Sequence, residues 1–187
     1  MQLTSTDQQY LLKLARSALK HTFGTNQKLE VDSNNIQDSL KEERATFVTL
    51  TKNGNLRGCI GKLIADQELY QDVIDHVYAA AFRDPRFPRL TKAELPEIKI
   101  EISILTPPEK FEYKDTPDLT KKLDATKPGI IIKKGWHRAT FLPQVWEELD
   151  QPENFLSQLC LKAGLSMDVW ENEKLDIEAY EVLKFKE

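Results

Sequence analysis

The fold is decided by residues 45–61, which read ATFVTLTKNGNLRGCIG. The residues before the Asn-Gly pair are mostly β-branched or aromatic, as is typical of a strand. Asn53 and Gly54 favour a type I′ turn, because that turn needs a positive φ at both central positions. The sequence therefore predicts a β-hairpin whose second strand contains residues 56–61.

A two-residue turn also predicts the register of this hairpin. Side chains alternate between the two faces of a strand. Arg57 and Cys59 would then share one face of the sheet, and Leu56 and Ile60 would share the opposite, core-facing one. A β-bulge at Gly58 would break this alternation.

The rest of the chain contains helices and further strands. Helical spacing of apolar residues predicts helices over 5–23 and 66–82, and strict alternation predicts a strand over 98–104. A second hairpin is expected over 130–141, and a closing strand over 177–185. Because the strands come in hairpins and not in strand–helix–strand units, the predicted class is α+β with antiparallel sheets.

Length and composition indicate an ordinary globular protein. The chain has 187 residues, of which 40% are hydrophobic and 30% charged, and its net charge is −4. This length corresponds to one domain or two small interlocked ones. The acidic balance argues against a broadly basic nucleic-acid binder and leaves a local basic patch open.

The sequence also indicates where the protein works. Its longest apolar run, residues 77–82, is far shorter than a membrane span. Residues 1–5 lack the basic start and apolar stretch of a secretory signal. Two cysteines do not make a disulfide framework, so the expected location is the reducing cytoplasm.

Five stretches, in order, resemble the AMMECR domain family, which is named for the Alport, midface hypoplasia and elliptocytosis chromosomal region. The most specific is LRGCIG at residues 56–61. Arg89 departs from the pattern, since many relatives are expected to carry proline or another residue there. The other four stretches are AAF running into DPRF at 80–87, EISILTP at 101–107, LPQV at 142–145 and KAGL at 162–165.

The resemblance implies a prokaryotic-type member with one AMMECR-type domain over residues 1–187. It implies two unequal subdomains, each an antiparallel sheet with packed helices. The larger would contain approximately residues 1–110 and 170–187, and the smaller approximately residues 111–169. The LRGCIG motif would lie where the two meet. The resemblance also implies a possible association with a Memo-like protein and a radical S-adenosylmethionine enzyme, as in prokaryotic members, and no reaction is settled for the family.

Cys59 is the one residue whose chemistry suggests covalent catalysis. It lies between Gly58 and Gly61, where backbone amides could approach a ligand. A thiolate nucleophile needs a neighbouring cation, a His or a helix N-terminus to lower its pKa. The alternatives are a nucleophile, a redox or ligand contact, and a small packing residue. We expect Cys59 to be mostly buried, with no His within hydrogen-bond reach.

Arginines form the main electrostatic feature of the sequence. Arg83, Arg86 and Arg89 follow one another within seven residues, and Arg57 precedes Cys59. Arginine binds carboxylate and phosphate through a planar fork of donors, so these residues are candidates for an anion site. The alternative is internal pairing, with Asp84 holding Arg57 or Arg86.

Histidine and tryptophan residues give weaker signals. His76 is expected as a boundary packing residue, and His137 is a candidate ligand-binding residue or an exposed one. Trp136, Trp146 and Trp170 are expected as anchors of the core or of the contact between subdomains. No spacing typical of a metal site or of a nucleotide-binding loop occurs, so no metal or cofactor is predicted.

Three hypotheses follow for function. The first is a cytoplasmic binding or accessory module with an arginine-lined cleft for an anionic small molecule or a protein partner. The second is an enzyme that uses Cys59 as nucleophile, with Arg57 and Arg86 positioning an anionic substrate. The third, nucleic-acid binding, is disfavoured by the acidic balance. The candidate ligand-binding residues are Arg57, Gly58, Gly61, Asp84, Arg86 and His137.

Overall fold

The structure is a computed structural model that describes residues 3–187, so Met1 and Gln2, which belong to the stretch for which the sequence predicted no secretory signal, lie outside the described residues. Within the described residues there are five α-helices and two four-stranded antiparallel sheets, which confirms the predicted α+β class. The chain forms two compact units. One runs up to Leu105 and includes Leu183–Glu187, and the other is Thr106–Val182.

The bounds of the elements are as follows. The helices are α1 Ser5–Thr25, α2 Leu69–Phe82, α3 Thr116–Thr126, α4 Pro152–Lys162 and α5 Val169–Asn172. The strands are β1 Ala45–Lys52, β2 Asn55–Gly61, β3 Ile98–Leu105, β4 Glu109–Lys110, β5 Gly129–Lys134, β6 His137–Phe141, β7 Asp176–Tyr180 and β8 Val182–Lys186.

The first unit consists of a sheet in the order β2-β1-β3-β8 and the two long helices α1 and α2. A capping box starts α1, where Thr4 and Asp7 exchange hydrogen bonds and satisfy free N–H groups of the first turn. Both helices bury one apolar face in a core shared with the sheet. The fully buried members of this core include Leu11, Ala15, Leu19, Val48, Leu50, Val73, Ile74, Val77, Ile100 and Ile102.

The β1–β2 hairpin confirms the turn prediction and contradicts the predicted register. Asn53 and Gly54 have φ values of 52° and 81°, as a type I′ turn requires. The pairing then shifts: Thr51 pairs with Leu56, but Leu50 pairs with Gly58, so Arg57 is the extra residue of a β-bulge.

The bulge decides which side chains face the core. Leu50 and Gly58 now share the buried face, while Thr49 pairs with Cys59 on the other face. The assignment of Leu56 to the core was wrong, because this side chain is 44% exposed. The simple alternation that placed Arg57 and Cys59 on one face does not apply across a bulge.

The second unit consists of a sheet in the order β4-β7-β5-β6 with α3, α4 and α5. Its bounds are wider than the approximate ones expected from sequence. Ala179 on β7 pairs with Ile130 on β5, and Glu178 pairs with Lys110 on β4. A single residue separates β7 from β8, so an apolar pattern over 177–185 does not reveal that the chain changes sheets within it.

Aromatic stacking marks the core of this second unit. The rings of Trp146 and Phe155 stack with centroids 3.8 Å apart, and the indole N–H of Trp146 donates to the Pro128 carbonyl at 2.8 Å. Trp170 is buried as well and donates to Ser157. The expectation that all three tryptophans are anchors was wrong for Trp136, which is fully exposed.

The helices of residues 3–187 were also compared with the requirements of a membrane span. None of them combines the length and the apolar character that a bilayer crossing needs.

Candidate functional site

The buried carboxylate of Asp84 organises the region around Cys59. Asp84 follows the end of α2 and is 4% exposed. Its Oδ2 accepts the backbone N–H of Cys59 at 2.8 Å, and its two oxygens accept the Arg86 guanidinium at 3.0 and 2.7 Å. Arg86 in turn donates to the Cys59 carbonyl at 3.0 Å. The peptide groups of Cys59 are therefore held to the segment that follows α2.

These contacts also set the ionisation of the pair. The Arg86 guanidinium and, after it, the Cys59 N–H hold the pKa of Asp84 well below its usual range. Asp84 raises the pKa of Arg86, with a smaller contribution from the Cys59 side chain. Of the two pairings that the sequence left open for Asp84, the structure has the one with Arg86.

Arg57 is engaged by a different carboxylate. Its guanidinium donates to both oxygens of Glu94, at 2.9 and 3.2 Å, and both side chains are mostly buried. Glu94 also accepts the N–H and the hydroxyl of Thr91, and Arg57 is the main cause that lowers the pKa of Glu94 to about 2. Sequence reasoning missed this ion pair.

The thiol of Cys59 lies on the outer face of the sheet. It is partly exposed, with an intermediate degree of burial. The hydroxyl of Thr49, its cross-strand neighbour, donates to Sγ at 3.2 Å. Within residues 3–187 no His side chain hydrogen bonds to this thiol, as the sequence led us to expect.

The arginine segment, residues 83–89, presents three exposed guanidinium groups over aromatic rings. Arg83 lies over Tyr78 at 5.2 Å from the ring centroid, Arg86 over Phe87 at 5.5 Å, and Arg89 over Phe82 at 5.7 Å. Such contacts restrict a flexible side chain and leave its N–H groups free to bind. Arg83 and Arg89 form no ion pair among the described residues.

Comparison with known proteins identifies the family of this chain. The AMMECR1 family profile matches residues 12–185. The chain belongs to the AMMECR1 family. The match includes the LRGCIG motif, the arginine segment and both sheets.

Relatives of known sequence and structure come from archaea. The chain is similar to a protein of Methanosarcina mazei, with 40% identity over 90% of this chain and 85% of the relative. It is similar to protein MK0488 of Methanopyrus kandleri, with 37% identity over 99% and 90% of the two chains. The crystal structure of the uncharacterized protein PH0010 from Pyrococcus horikoshii has a TM-score of 0.78 and 32% identity, and covers 95% of this chain and 90% of that one.

The two glycines of the family motif have a packing explanation. A Cβ on Gly58 would lie 2.2 Å from the carbonyl oxygen of Ala80 on α2, and a Cβ on Gly61 would lie 2.4 Å from the ring of Phe47. Neither position leaves open space for a ligand beside Cα. Close approach of β2 to α2 and to β1 therefore accounts for both glycines.

His137 lies at the start of β6 in the second unit, whereas Cys59, Arg57 and Arg86 are in the first. Its Nδ1 is 2.8 Å from the carbonyl oxygen of Ala163. Because a carbonyl only accepts, Nδ1 must carry the proton and donate. This bond joins the β5–β6 hairpin to the end of α4.

Sequence reasoning missed a buried polar cluster between β1 and α2. Asp72 is fully buried and accepts from the N–H and hydroxyl of Thr46, at 3.0 and 2.6 Å, and from Lys62 at 2.6 Å. His76 is 2.9 Å from the Thr46 hydroxyl. Only the burial of one helix face against β1 brings these residues together. A signal was present in Asp72, a charged residue next to the apolar stripe of α2.

Replacing Asp84 by asparagine should lower the free energy of unfolding by about 1 kcal/mol, because the charge-assisted bonds to Arg86 weaken while the amide oxygen can still accept the Cys59 N–H. Urea denaturation at pH 7 measures this change. Asp38→Asn is the control, since the Asp38 side chain is 97% exposed and the loss of its ion pair with Lys41 should have little effect. Equal stability of the wild type and Asp84→Asn would contradict the role assigned to Asp84.

Proposed function

We propose that this chain is a cytoplasmic accessory protein that binds an anionic ligand, or an anionic segment of a partner, on its arginine segment. The observation that carries the proposal is the state of Arg83 and Arg89. Both are exposed, both lie over aromatic rings, and neither has a carboxylate partner within residues 3–187. Unpaired, preorganised guanidinium groups are suited to phosphate and carboxylate.

The aromatic rings below the arginines support a fixed arrangement. Tyr78 and Phe82 lie one turn apart on α2, with ring centroids 5.2 Å apart, and Phe23 of α1 contacts Phe82 from its other side. Arg83 and Arg89 are thus placed over rings of one connected aromatic row. Little side-chain entropy remains to be lost when an anion binds, which favours affinity.

Arg86 contributes to the same surface in a different way. Its Nε and Nη2 atoms are engaged by Asp84 and the Cys59 carbonyl, but its side chain is 53% exposed and its Nη1 makes no hydrogen bond within the described residues. One edge of the guanidinium is therefore free for a ligand. Arg57 is less suited to bind an anion, because Glu94 already occupies its fork.

The second candidate function is catalysis by the Cys59 thiol. It is favoured by one observation: the Arg86 guanidinium donates to the carbonyl oxygen of Cys59, so a cation lies close to a partly exposed cysteine. A nucleophilic mechanism also needs a base within hydrogen-bond reach. The group that contacts Sγ is the hydroxyl of Thr49, which is not a base at neutral pH. The geometry therefore supports binding better than nucleophilic catalysis.

Removing Arg83 and Arg89 together should weaken anion binding about tenfold or more, since each charge-assisted hydrogen bond contributes about 1.5–3 kcal/mol. The measurement is isothermal titration calorimetry at low ionic strength with inorganic pyrophosphate and with citrate. We expect wild-type protein to bind at least one of them. The Arg83→Lys and Arg89→Lys double variant should fall between the wild type and the double alanine variant, because lysine keeps the charge but not the planar fork.

The matched control removes the same number of charges elsewhere. Lys13 and Lys20 on α1 are exposed and form no ion pair within residues 3–187. The Lys13→Ala and Lys20→Ala double variant should bind pyrophosphate and citrate as the wild type does. An equal loss in both double variants would show a general charge effect, and either that result or the absence of binding to wild-type protein would contradict the proposal.

A further inference from the structure

The tip of the β5–β6 hairpin in the second unit carries a fully exposed tryptophan. Lys134 pairs with His137, so Gly135 and Trp136 are the two residues of the turn. Gly135 has a φ of 57°, and glycine in the first central position is typical of a type II′ turn. The turn requires this glycine but not an indole beside it, and Trp136 contributes nothing to the core that holds Trp146 and Trp170.

Two other exposed apolar side chains lie close along the chain to Ala163, whose carbonyl oxygen His137 contacts. The bond between His137 and the Ala163 carbonyl joins the hairpin to the C-terminal end of α4. Leu161 and Met167, on either side of Ala163 in the sequence, are 48% and 50% exposed. Scattered single apolar side chains are normal on a surface, but tryptophan and methionine are enriched in protein interfaces.

The charges around Trp136 leave a positive excess. Lys133 and Lys134 form ion pairs with Glu178 and Glu173. Arg138 follows Trp136 by two residues, is exposed, and forms neither an ion pair nor a hydrogen bond among residues 3–187.

A groove of about 400 Å³ begins at the same turn. Gly135 lines one end of it, and Lys174, which lies over the ring of Tyr113, has no carboxylate partner in residues 3–187. Glu112 and Asp176 also line the groove, so negative charges offset only part of the positive charge of its lysines. The lysines that line it are Lys110, Lys133, Lys134 and Lys174.

We propose that Trp136 is the anchor of a docking surface for an acidic peptide segment of a partner protein, with Arg138 and Lys174 receiving its carboxylates. Tryptophan is the residue most often found to dominate binding energy at an interface, where its ring is buried by apolar groups of the partner. Complementary charge around such an anchor selects the partner and accelerates association. This surface lies on the second unit and is independent of the arginine segment.

The test uses random 12-residue peptides displayed on phage as the probe. Peptides that bind wild-type protein are selected after subtraction of those that bind Trp136→Ser. We expect selected peptides to combine Asp or Glu with aromatic or aliphatic residues. A synthetic copy should shift the tryptophan fluorescence of the wild type to shorter wavelength and should bind Trp136→Ser at least tenfold more weakly.

Two further variants test separately the contribution of the aromatic ring and that of the positive charge. Trp136→Phe should retain most of the affinity, because a ring remains at the tip, and Arg138→Ala should lower it several-fold. The Trp136→Ser variant should fold as the wild type does, since the side chain is fully exposed, and circular dichroism checks this. Leu183→Ser is the matched control, because Leu183 is an exposed apolar residue of the first unit.

Four outcomes would overturn the proposal. The first is that no peptide survives the subtraction, and the second is that the selected peptides are basic. The third is that phosphatidylserine vesicles or a 20-nucleotide oligo-dT shift the Trp136 fluorescence while the peptides do not, which would assign the turn to a membrane or to nucleic acid. The fourth is concentration-dependent self-association that disappears in Trp136→Ser, which would assign it to a second copy of this chain.

Discussion

The Gly58→Ala variant is expected to be less stable than the wild type by about 3 kcal/mol or more, because overpacking against backbone cannot be relieved by a rotamer change. An added Cβ would lie 2.2 Å from the carbonyl oxygen of Ala80 and 3.0 Å from its carbonyl carbon. Both partners are main-chain atoms of regular elements, so β2 would have to move away from α2. Urea denaturation followed by circular dichroism measures the loss.

Gly24→Ala is the matched control for this substitution. Gly24 lies within α1, and an added Cβ there meets nothing within 4 Å. Alanine should stabilise the protein there by up to about 1 kcal/mol, because glycine is the weaker helix former. A Gly58→Ala variant as stable as the wild type would show that the distance between β2 and α2 in solution differs from the one described.

Replacing Asp72 by asparagine is expected to lower the free energy of unfolding by about 3 kcal/mol at pH 7, in the range found when one partner of a buried ion pair is removed. Asp72 is fully buried and accepts hydrogen bonds from Thr46, Lys62 and Gln67. An amide has only one accepting oxygen, so at least one of these donors would lose its partner. Burial raises the pKa of Asp72, but the bonds from its partners outweigh it, and the pKa falls to about 2.

The lowered pKa gives this effect a defined dependence on pH. The folded protein holds Asp72 ionised down to about pH 2, whereas in the unfolded chain it protonates near its ordinary value of 3.8. Its stabilising contribution is therefore complete above about pH 4 and is lost as the pH falls toward 2. The shift corresponds to about 2 kcal/mol. The stability difference between wild type and Asp72→Asn should accordingly narrow between pH 4 and pH 2.

Asp66→Asn provides the control for Asp72. Asp66 is the other carboxylate that contacts Lys62, but its side chain is 60% exposed. Its replacement should change the stability by less than about 1 kcal/mol, as is usual for exposed ion pairs. A stability difference between the wild type and Asp72→Asn that stays constant from pH 7 to pH 2 would contradict the low pKa assigned to Asp72.

The sequence predicted individual elements and residues of the candidate site, but it did not predict which distant residues contact one another. The Asn53–Gly54 turn and the apolar stripe of α2 depend on local rules, so the sequence predicted both. Arg86 and Asp84 are two residues apart, and their pairing was one of two alternatives considered. The pairing of Arg57 with Glu94 was not predicted, because nothing local indicates that two residues 37 positions apart meet.

The β1–β2 hairpin contains a β-bulge that local sequence rules do not predict. The turn geometry follows from the preference of Asn and Gly for positive φ, and it would extend a regular ladder as far as Cys59. The ladder shifts instead at Arg57, and Gly58 comes to lie opposite Leu50 and directly against Ala80 of α2. The bulge is thus associated with a contact between a strand and a helix that no pattern within residues 45–61 encodes.

The sequence by itself determined the α+β class, the helices α1 and α2, the strand β3, the two hairpins, and membership of the AMMECR1 family, because periodicity, turn chemistry and an uncommon motif are properties of short stretches. The tertiary structure alone decided which carboxylate neutralises which arginine, that Arg83 and Arg89 stay unpaired, and that Trp136 is exposed while Trp146 and Trp170 are buried. Ion pairing and burial depend on which distant segments meet, and this follows from the packing of all the apolar faces together.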